Sequence, residues 1–312
     1  MDNKDNMNEN ITTDFYIIVQ NKSINTLTKT KTSNLNYEQI GRIGDAVINC
    51  GNDFKLTIKN YATYIDGKLC VTKGGLKTLD FMFLDILLIK FAQTKELNIK
   101  LKLKEYMKMR GLKDTKTARK QVIDSIEALS RITYDARENI KGKWIYSGTI
   151  SIFGGSGYIK NGTIHFNFNA DFYNLLLNYS VMNYSGNTLK MDPRTNGYYF
   201  SRFIDENYRI NEGKSRVNKI SIRNLLSKTP SLPTVDDVLS KDKHIKDRII
   251  VPFFRDLNRL IHIKYKVLNQ NKEEVKYPDN MRYEEFVNCT LVIDYNNYPK
   301  NENRNFYKRN NG

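Results

Sequence analysis

The side chains of this sequence that could do catalytic chemistry are few, and their spacing brings none of them together. There are three histidines, His165, His244 and His262. A divalent metal held for phosphodiester cleavage asks for closely spaced imidazoles, and no His-x-His pair occurs. Tyrosine is plentiful, at 20 residues, but a nucleophilic tyrosine needs a metal or a basic cluster to activate its hydroxyl. These tyrosines read as core and surface residues. Cys50, Cys70 and Cys289 lie far apart with no C-x-x-C, which disfavours a zinc ribbon or a redox pair and fits a reducing compartment. The phosphate-cradling G-x-x-x-x-G-K-[ST] is missing, which disfavours an ATP-driven motor. The glycine-dense stretch Gly154-Gly155-Ser156-Gly157 has no Lys-Ser/Thr after it and is expected to form a hairpin turn or a bulge. The expectation is a protein that is not an enzyme, with no catalytic residue, no metal site and no cofactor.

Positive charge is what the chain has in excess. Its 312 residues carry 50 Lys and Arg against 34 Asp and Glu, a net +16, which points to a polyanionic partner. An anionic membrane is the weaker choice: the most apolar stretch, Phe81 to Ala92, is too short to span and contains Asp85 and Lys90. The polar start, MDNKDNMNEN, has no signal-peptide run, so a cytoplasmic protein is expected. The charge is also grouped. Residues 95–120 hold ten Lys/Arg and three acids, residues 213–228 five and none, and residues 241–266 eight and three. A single run of this kind is usually a solvated face, so its position on the fold decides its meaning.

The elements that would position these runs are legible from residue 76 onward. Leu76, Leu79, Met82 or Phe83, Ile86, Leu87 and Ile89 recur at helical spacing. A second helix is predicted over Leu101–Arg110, stopped by Gly111, and a third from Asp114 or Thr115 to about Ile132. In the third, Ala118, Val122, Ile126 and Leu129 share one face, opposite Lys116, Arg119, Lys120, Ile123 and Glu127. Alternating β signals follow, with turns at Lys141-Gly142, Gly154–Gly157 and Asn161-Gly162. Three helices and then a hairpin is the winged-helix order. It recurs: a helix from Asp192-Pro193 carrying Tyr199, Phe200, Phe203, Ile204 and Tyr208, a short helix from Ile220, a turn and short helical segment near Ser231, a longer helix from about Lys243 to Leu260 broken at Pro252, then strands at Ile261–Val267 and Asn288–Tyr295.

The expected fold class is therefore α+β, two tandem winged-helix domains behind an N-terminal extension. The expected spans are 1–72 for the extension, with about its first 13 residues disordered, then 73–185, 186–298 and a basic flexible tail at 299–312. Within the extension, Phe15–Val19 and Phe54–Ile58 read as strands. The basic runs fall on the helix-turn-helix parts of both units. That placement makes Lys108, Arg110, Lys113, Lys116, Arg119 and Lys120 of the first unit candidate DNA-binding residues. Lys214, Arg216, Lys219, Arg223, Lys243, Lys246 and Arg248 are their counterparts in the second.

This order resembles the plasmid replication initiators of the tandem winged-helix, iteron-binding type (Rep proteins). The residues that carry the resemblance are LKLKEYMKMRGLKDTKTARKQVIDSIEALSRITY in the first unit, and TNGYYFSRFIDENYRIN, ISIRNLL and DRIIVPFFRDLNRLIHIKYKV in the second. It covers roughly residues 76–295 and departs at the N-terminus, where some seventy residues precede the first clear helix. The resemblance implies replication initiation by sequence-specific binding of double-stranded DNA at repeated origin sites. Its implied partners are a host helicase or a DnaA-type initiator, with a homodimer as a further state. A winged-helix transcriptional regulator is the alternative, and a nicking or joining enzyme is disfavoured by the missing histidine pair.

Overall fold

The computed structural model describes residues 15–19, 25, 28–29, 36–40, 43–49, 54–65, 68–71, 76–140, 143–177, 181–233, 238, 245–276, 278–296 and 298–299. The expected loose ends, 1–13 and 300–312, lie outside the described residues, as does most of the segment after Ser231. No helix among the described residues is long and apolar enough to cross a membrane.

The first unit is built on helix α1 (Thr78–Thr94), which is apolar on every side and is accordingly buried almost throughout. Around it lie β6 (Asn98–Lys102), α2 (Leu103–Arg110), α3 (Thr115–Leu129), β9 (Phe153–Lys160) and β10 (Thr163–Phe168). The three strands form an antiparallel sheet in the order β6-β10-β9. Ile99, Leu101, Ile164, Phe166 and Phe168 point from it onto Phe83, Leu87 and Phe91 of α1 and Val122 and Leu129 of α3, one continuous core. The β9–β10 turn needs positive φ at both central residues to match the strand twist, and Asn161 (48°) and Gly162 (69°) supply it.

One sequence expectation is corrected here, and another, a hairpin turn or a bulge at Gly154–Gly157, is narrowed to the bulge. Residues 101–102, read as helical, belong to β6, because Ile99 and Leu101 alternate with outward Lys100 and Lys102 and pair with β10. The Gly154–Gly157 stretch is a bulge inside β9, where the register against β10 slips between Phe166 and Phe168. A Cβ on Gly154 would stand 2.5 Å from the Phe168 carbonyl oxygen, so the bulge admits no side chain there.

The second unit repeats the plan. It comprises α6 (Gly197–Asn211), β12 (Lys219–Ser221), α7 (Ile222–Ser227), a π-helical turn at Lys246–Ile250 leading into α8 (Val251–Asn258), β13 (Lys264–Leu268) and β14 (Thr290–Asp294). Its sheet order, β12-β14-β13, is that of the first unit: the strand between the first two helices pairs with the last strand of the wing. Short helices α4 (Ala170–Leu177) and α5 (Gly186–Lys190) precede α6, and α9 (Tyr283–Val287) lies within the second wing. Asp192-Pro193 does not open a helix. Arg194 donates its backbone N–H and its guanidinium to the Asp192 carboxylate, closing a turn, and α6 starts at Gly197. Pro252 lies at the break expected of it: it has no N–H for the preceding turn, and the wider π turn, closed by Val251 N–H on the Lys246 carbonyl, absorbs the gap.

The N-terminal strands are not a separate body. Strands β2 (Asn36–Ile40), β3 (Ile43–Asn49), β4 (Phe54–Ile65) and β5 (Lys68–Val71) join the hairpin β7 (Ile132–Ile140) and β8 (Lys143–Ser151) in one six-stranded antiparallel sheet. β1 (Phe15–Val19) pairs with β11 (Val181–Ser185), the strand that leads into the second unit.

Helix α6 ties the units together: Tyr198 and Tyr199 lie in the first core, Phe200 and Ile204 in the second. Between the cores runs a buried polar network. Asp85 of α1 accepts hydrogen bonds from the hydroxyls of Tyr184 (2.8 Å) and Tyr198 (2.7 Å) and pairs with the Arg202 guanidinium at 3.2 Å. Arg202 also donates to Asn25 (2.9 Å) and Thr28 (3.2 Å). Next to it, Asp205 accepts from the Ser185 N–H (3.0 Å) and the Tyr298 hydroxyl (2.9 Å).

Burial pushes the Asp205 carboxyl from its ordinary 3.8 up to about 7, against the pull of those two donors. The folded chain then holds a proton that the unfolded chain has lost, so this group stabilises the fold fully below about pH 4 and loses that contribution as pH rises through about 7. Within that window the slope is up to ~1.4 kcal/mol per pH unit. Unfolding titrations at pH 5 and pH 7.5 should show the native chain losing more stability across the interval than Asp205→Asn does. Parallel curves would mean that Asp205 is ionised in the fold.

Candidate nucleic-acid interface

The outer face of the first unit is set by the entry into α3. Asp114 caps the helix, its carboxylate accepting from the backbone of Lys116 (3.1 Å) and Thr117 (2.8 Å). The Thr117 hydroxyl first, and then these N–H groups, hold the Asp114 carboxyl below its usual range. With the start fixed, Ala118, Val122, Ile126 and Leu129 are buried, and Lys116, Arg119, Lys120, Ile123 and Glu127 are exposed, as their spacing predicts. Lys108 near the end of α2 and Lys113 in the turn before α3 are exposed as well. Lys120 reaches Asp124 at 3.1 Å with both side chains in solvent, a pairing weak enough to yield to a phosphate.

Arg110 leaves the set. It is 5% exposed and donates its guanidinium to the Leu189 carbonyl and, at 2.8 Å, to the Met82 sulfur, so it fastens α2 to α5 and cannot reach a ligand outside. Lysines that the sequence pattern did not single out take its place. On the outward face of the β6-β10-β9 sheet, Lys100 and Tyr158 flank His165, and Lys102 and Lys160 flank Thr163. Tyr158 and His165 stack with ring centroids 4.7 Å apart. Residues 98–102 alternate, but the run is short and leads straight into a helix, so the pattern does not single out Lys100 and Lys102.

In the second unit Lys214, Arg216, Lys219 and Arg223 are exposed around β12, Arg223 lying 3.5 Å from Asn288. Lys246 and Arg248 are exposed on the π turn, Lys246 donating to Asn280 at 2.8 Å, while Lys243 lies outside the described residues. Between α8 and β13 opens a groove of about 690 Å³ into which Arg255, Lys264, Lys266 and Lys276 project. Each unit thus presents a basic helix face beside a basic strand, the arrangement that sets a helix in a major groove and a wing on the adjoining backbone.

Among the described residues, no group of three or more His, Cys, Asp or Glu could hold a metal ion. Burial pushes His262 down to about 4, leaving a neutral imidazole 3.2 Å from the Ser201 hydroxyl. Cys289 is buried, and burial raises its thiol pKa.

Residues 54–189 match the family model described as "Initiator Replication protein, WH1". The matched stretch runs from the start of β4 through α5 and contains the whole of the first winged-helix unit. No curated protein matches the chain. Solved structures similar to it include two of RctB domains. One is a crystal structure of domains 2 and 3 of RctB, 11% identical, covering 88% of this chain and 98% of that chain with a TM-score of 0.45. The other is a further crystal structure of RctB domains 2-3, 14% identical, covering 83% and 90% with a TM-score of 0.40.

Proposed function

We propose that this chain, whose residues 54–189 match the family model described as "Initiator Replication protein, WH1", initiates plasmid replication by binding repeated double-stranded sites at an origin through two reading units. The units are assigned to residues 73–185 and 186–298. The observation that carries this reading is the repetition itself: the same strand order occurs twice, each time with a basic helix turned outward. A single such module suffices to regulate a promoter. Two in one chain match a site with repeated elements, because each module covers its own stretch of groove.

Phosphate contacts from Lys113, Lys116 and Lys120 supply affinity and register, and Arg119, within the first two turns of α3, reads a guanine edge. The chain does no chemistry on the DNA in this reading. Its binding energy strains adjacent AT-rich duplex, and a host helicase or a DnaA-type initiator takes over the opened strands. A homodimer on an inverted site is the accompanying state.

Arg119→Ala tests the recognition face. On the DNA protected next to the chain's own gene, the variant should bind more weakly by about 1–3 kcal/mol, while its affinity for random duplex changes far less. Equal losses on both duplexes, read by filter binding at one salt concentration, would reduce Arg119 to a phosphate contact. Absence of a protected site would remove the initiator reading.

A further inference from the structure

Among the described residues the exposed large hydrophobic side chains are Ile17, Ile123, Tyr158, Ile210, Val251 and Ile261, and one of them sits on each candidate recognition helix. Ile123 is 47% exposed in the middle of α3, and Val251 is 37% exposed where the π turn runs into α8. Ile123 is neighboured along the exposed helix face by Lys116, Arg119, Lys120 and Glu127, at seven, four and three residues before it and four after. Val251 lies three residues after Arg248 and four before Arg255, and lines the basic groove against β13.

Neither residue has a packing task. The core face of α3 is complete with Ala118, Val122, Ile126 and Leu129, and that of the second helix with Ile250, Phe253, Phe254 and Leu257. Ile123 does not belong to an apolar patch of the kind that docks a protein, because its neighbours on the helix surface are charged. Val251 stands at the rim of a groove whose apolar floor, Phe254, Ile263 and Val267, is flanked by Arg255, Lys264 and Lys266. The target they suit is one small apolar group embedded in a polyanion. In the major groove of DNA that group is the thymine C5-methyl, the apolar feature displayed among hydrogen-bonding base edges.

We propose that Ile123 and Val251 are specificity-determining residues, each packing on a thymine methyl in the half of the site read by its own unit. This rests on the proposed reading of the chain as a DNA-binding initiator and adds to it a base preference at defined positions. Arg119 beside Ile123, and Arg248 beside Val251, make each pair fit a guanine next to a thymine. The β-branched side chains are stiff, so they present their methyl groups to the base at little cost in rotamer freedom.

The test uses the full-length protein and a duplex it selects from a random-sequence pool, with each thymine replaced in turn by deoxyuridine, which lacks only the methyl. At one thymine in the half protected by the first unit, uracil should weaken binding about fourfold, the effect of exposing one methyl-sized apolar group. Ile123→Ala should weaken binding to the thymine duplex by a similar factor and be indifferent to uracil at that position. Val251→Ala should behave likewise at a thymine in the other half. Because both side chains are solvent-exposed, thermal melts of the variants should match the parent. A selected duplex in which every uracil is silent, or an Ile123→Ala variant still sensitive to the same uracil, overturns the proposal and leaves the DNA-binding reading standing. Failure to select any duplex overturns both.

Discussion

Arg202→Met is expected to destabilise the chain by ~3–5 kcal/mol, the usual cost of breaking a buried ion pair from one side. The substitution keeps most of the side chain's bulk and removes its charge. Asp85 is then left at the centre of the molecule, 0% exposed, with only the Tyr184 and Tyr198 hydroxyls as donors. In the native chain burial works against the Arg202 charge. Asp85 first, and then Tyr198 and Tyr184, more than offset it and hold the guanidinium above its ordinary pKa. Both tyrosine hydroxyls are pushed well above theirs, by burial and then by Asp85, so they remain donors. A second variant separates charge from shape. Asp85→Asn combined with Arg202→Met leaves a neutral acceptor for the two tyrosines and should recover a substantial part of the loss. Chemical unfolding of the three proteins reads this directly, and an Arg202→Met chain as stable as its parent would mean that Asp85 is solvated. Because Asp85 stands on α1 and Arg202 on α6, this pair connects the two winged-helix units, and its removal is felt at their junction.

The helices that carry the proposed recognition residues are largely legible in the amino-acid sequence. Asp114 is a good cap followed by an apolar repeat, and that is enough to phase α3 and decide which of its side chains face outward. Asn161-Gly162 announces its hairpin for an equally local reason, the positive φ that both residues tolerate. What the sequence hides is set by distance along the chain. Arg110 looks like any other surface cation in a basic run, and its burial comes from the Leu189 carbonyl, 79 residues away. The Asp85–Arg202 pair spans 117 residues and leaves no local trace beyond an oddly placed Asp in an apolar helix. The pairing of β4 with β7 is of the same kind, joining Phe54–Ile58 to Ile132–Ala136 across the first helices. Strand β6 is hidden for a different reason: five residues of alternation running straight into a helix are too few to separate from a helical turn.

Both reading units should leave their signature in a single salt titration. Lys116, Arg119 and Lys120 in the first unit, and Lys246 and Arg248 in the second, are exposed on helix faces of equivalent place in the fold. Removing one cation that neutralises a duplex phosphate reduces the slope of log K against log salt by about 0.9. Replacing the three residues of the first unit with Ala should flatten the slope by about 2, for the phosphate contacts of Lys116 and Lys120, and weaken binding by orders of magnitude at moderate salt. Replacing the two of the second should flatten it by up to about 2. The fold should stand in both cases, since these side chains are outside the cores. A footprint of the same three proteins on one origin fragment then locates each effect. The tandem account predicts that each variant gives up protection over its own half-site and keeps the other. An unchanged slope and an unchanged footprint for the Lys246/Arg248 variant would contradict it, leaving one DNA-reading unit and a second whose basic face serves something else.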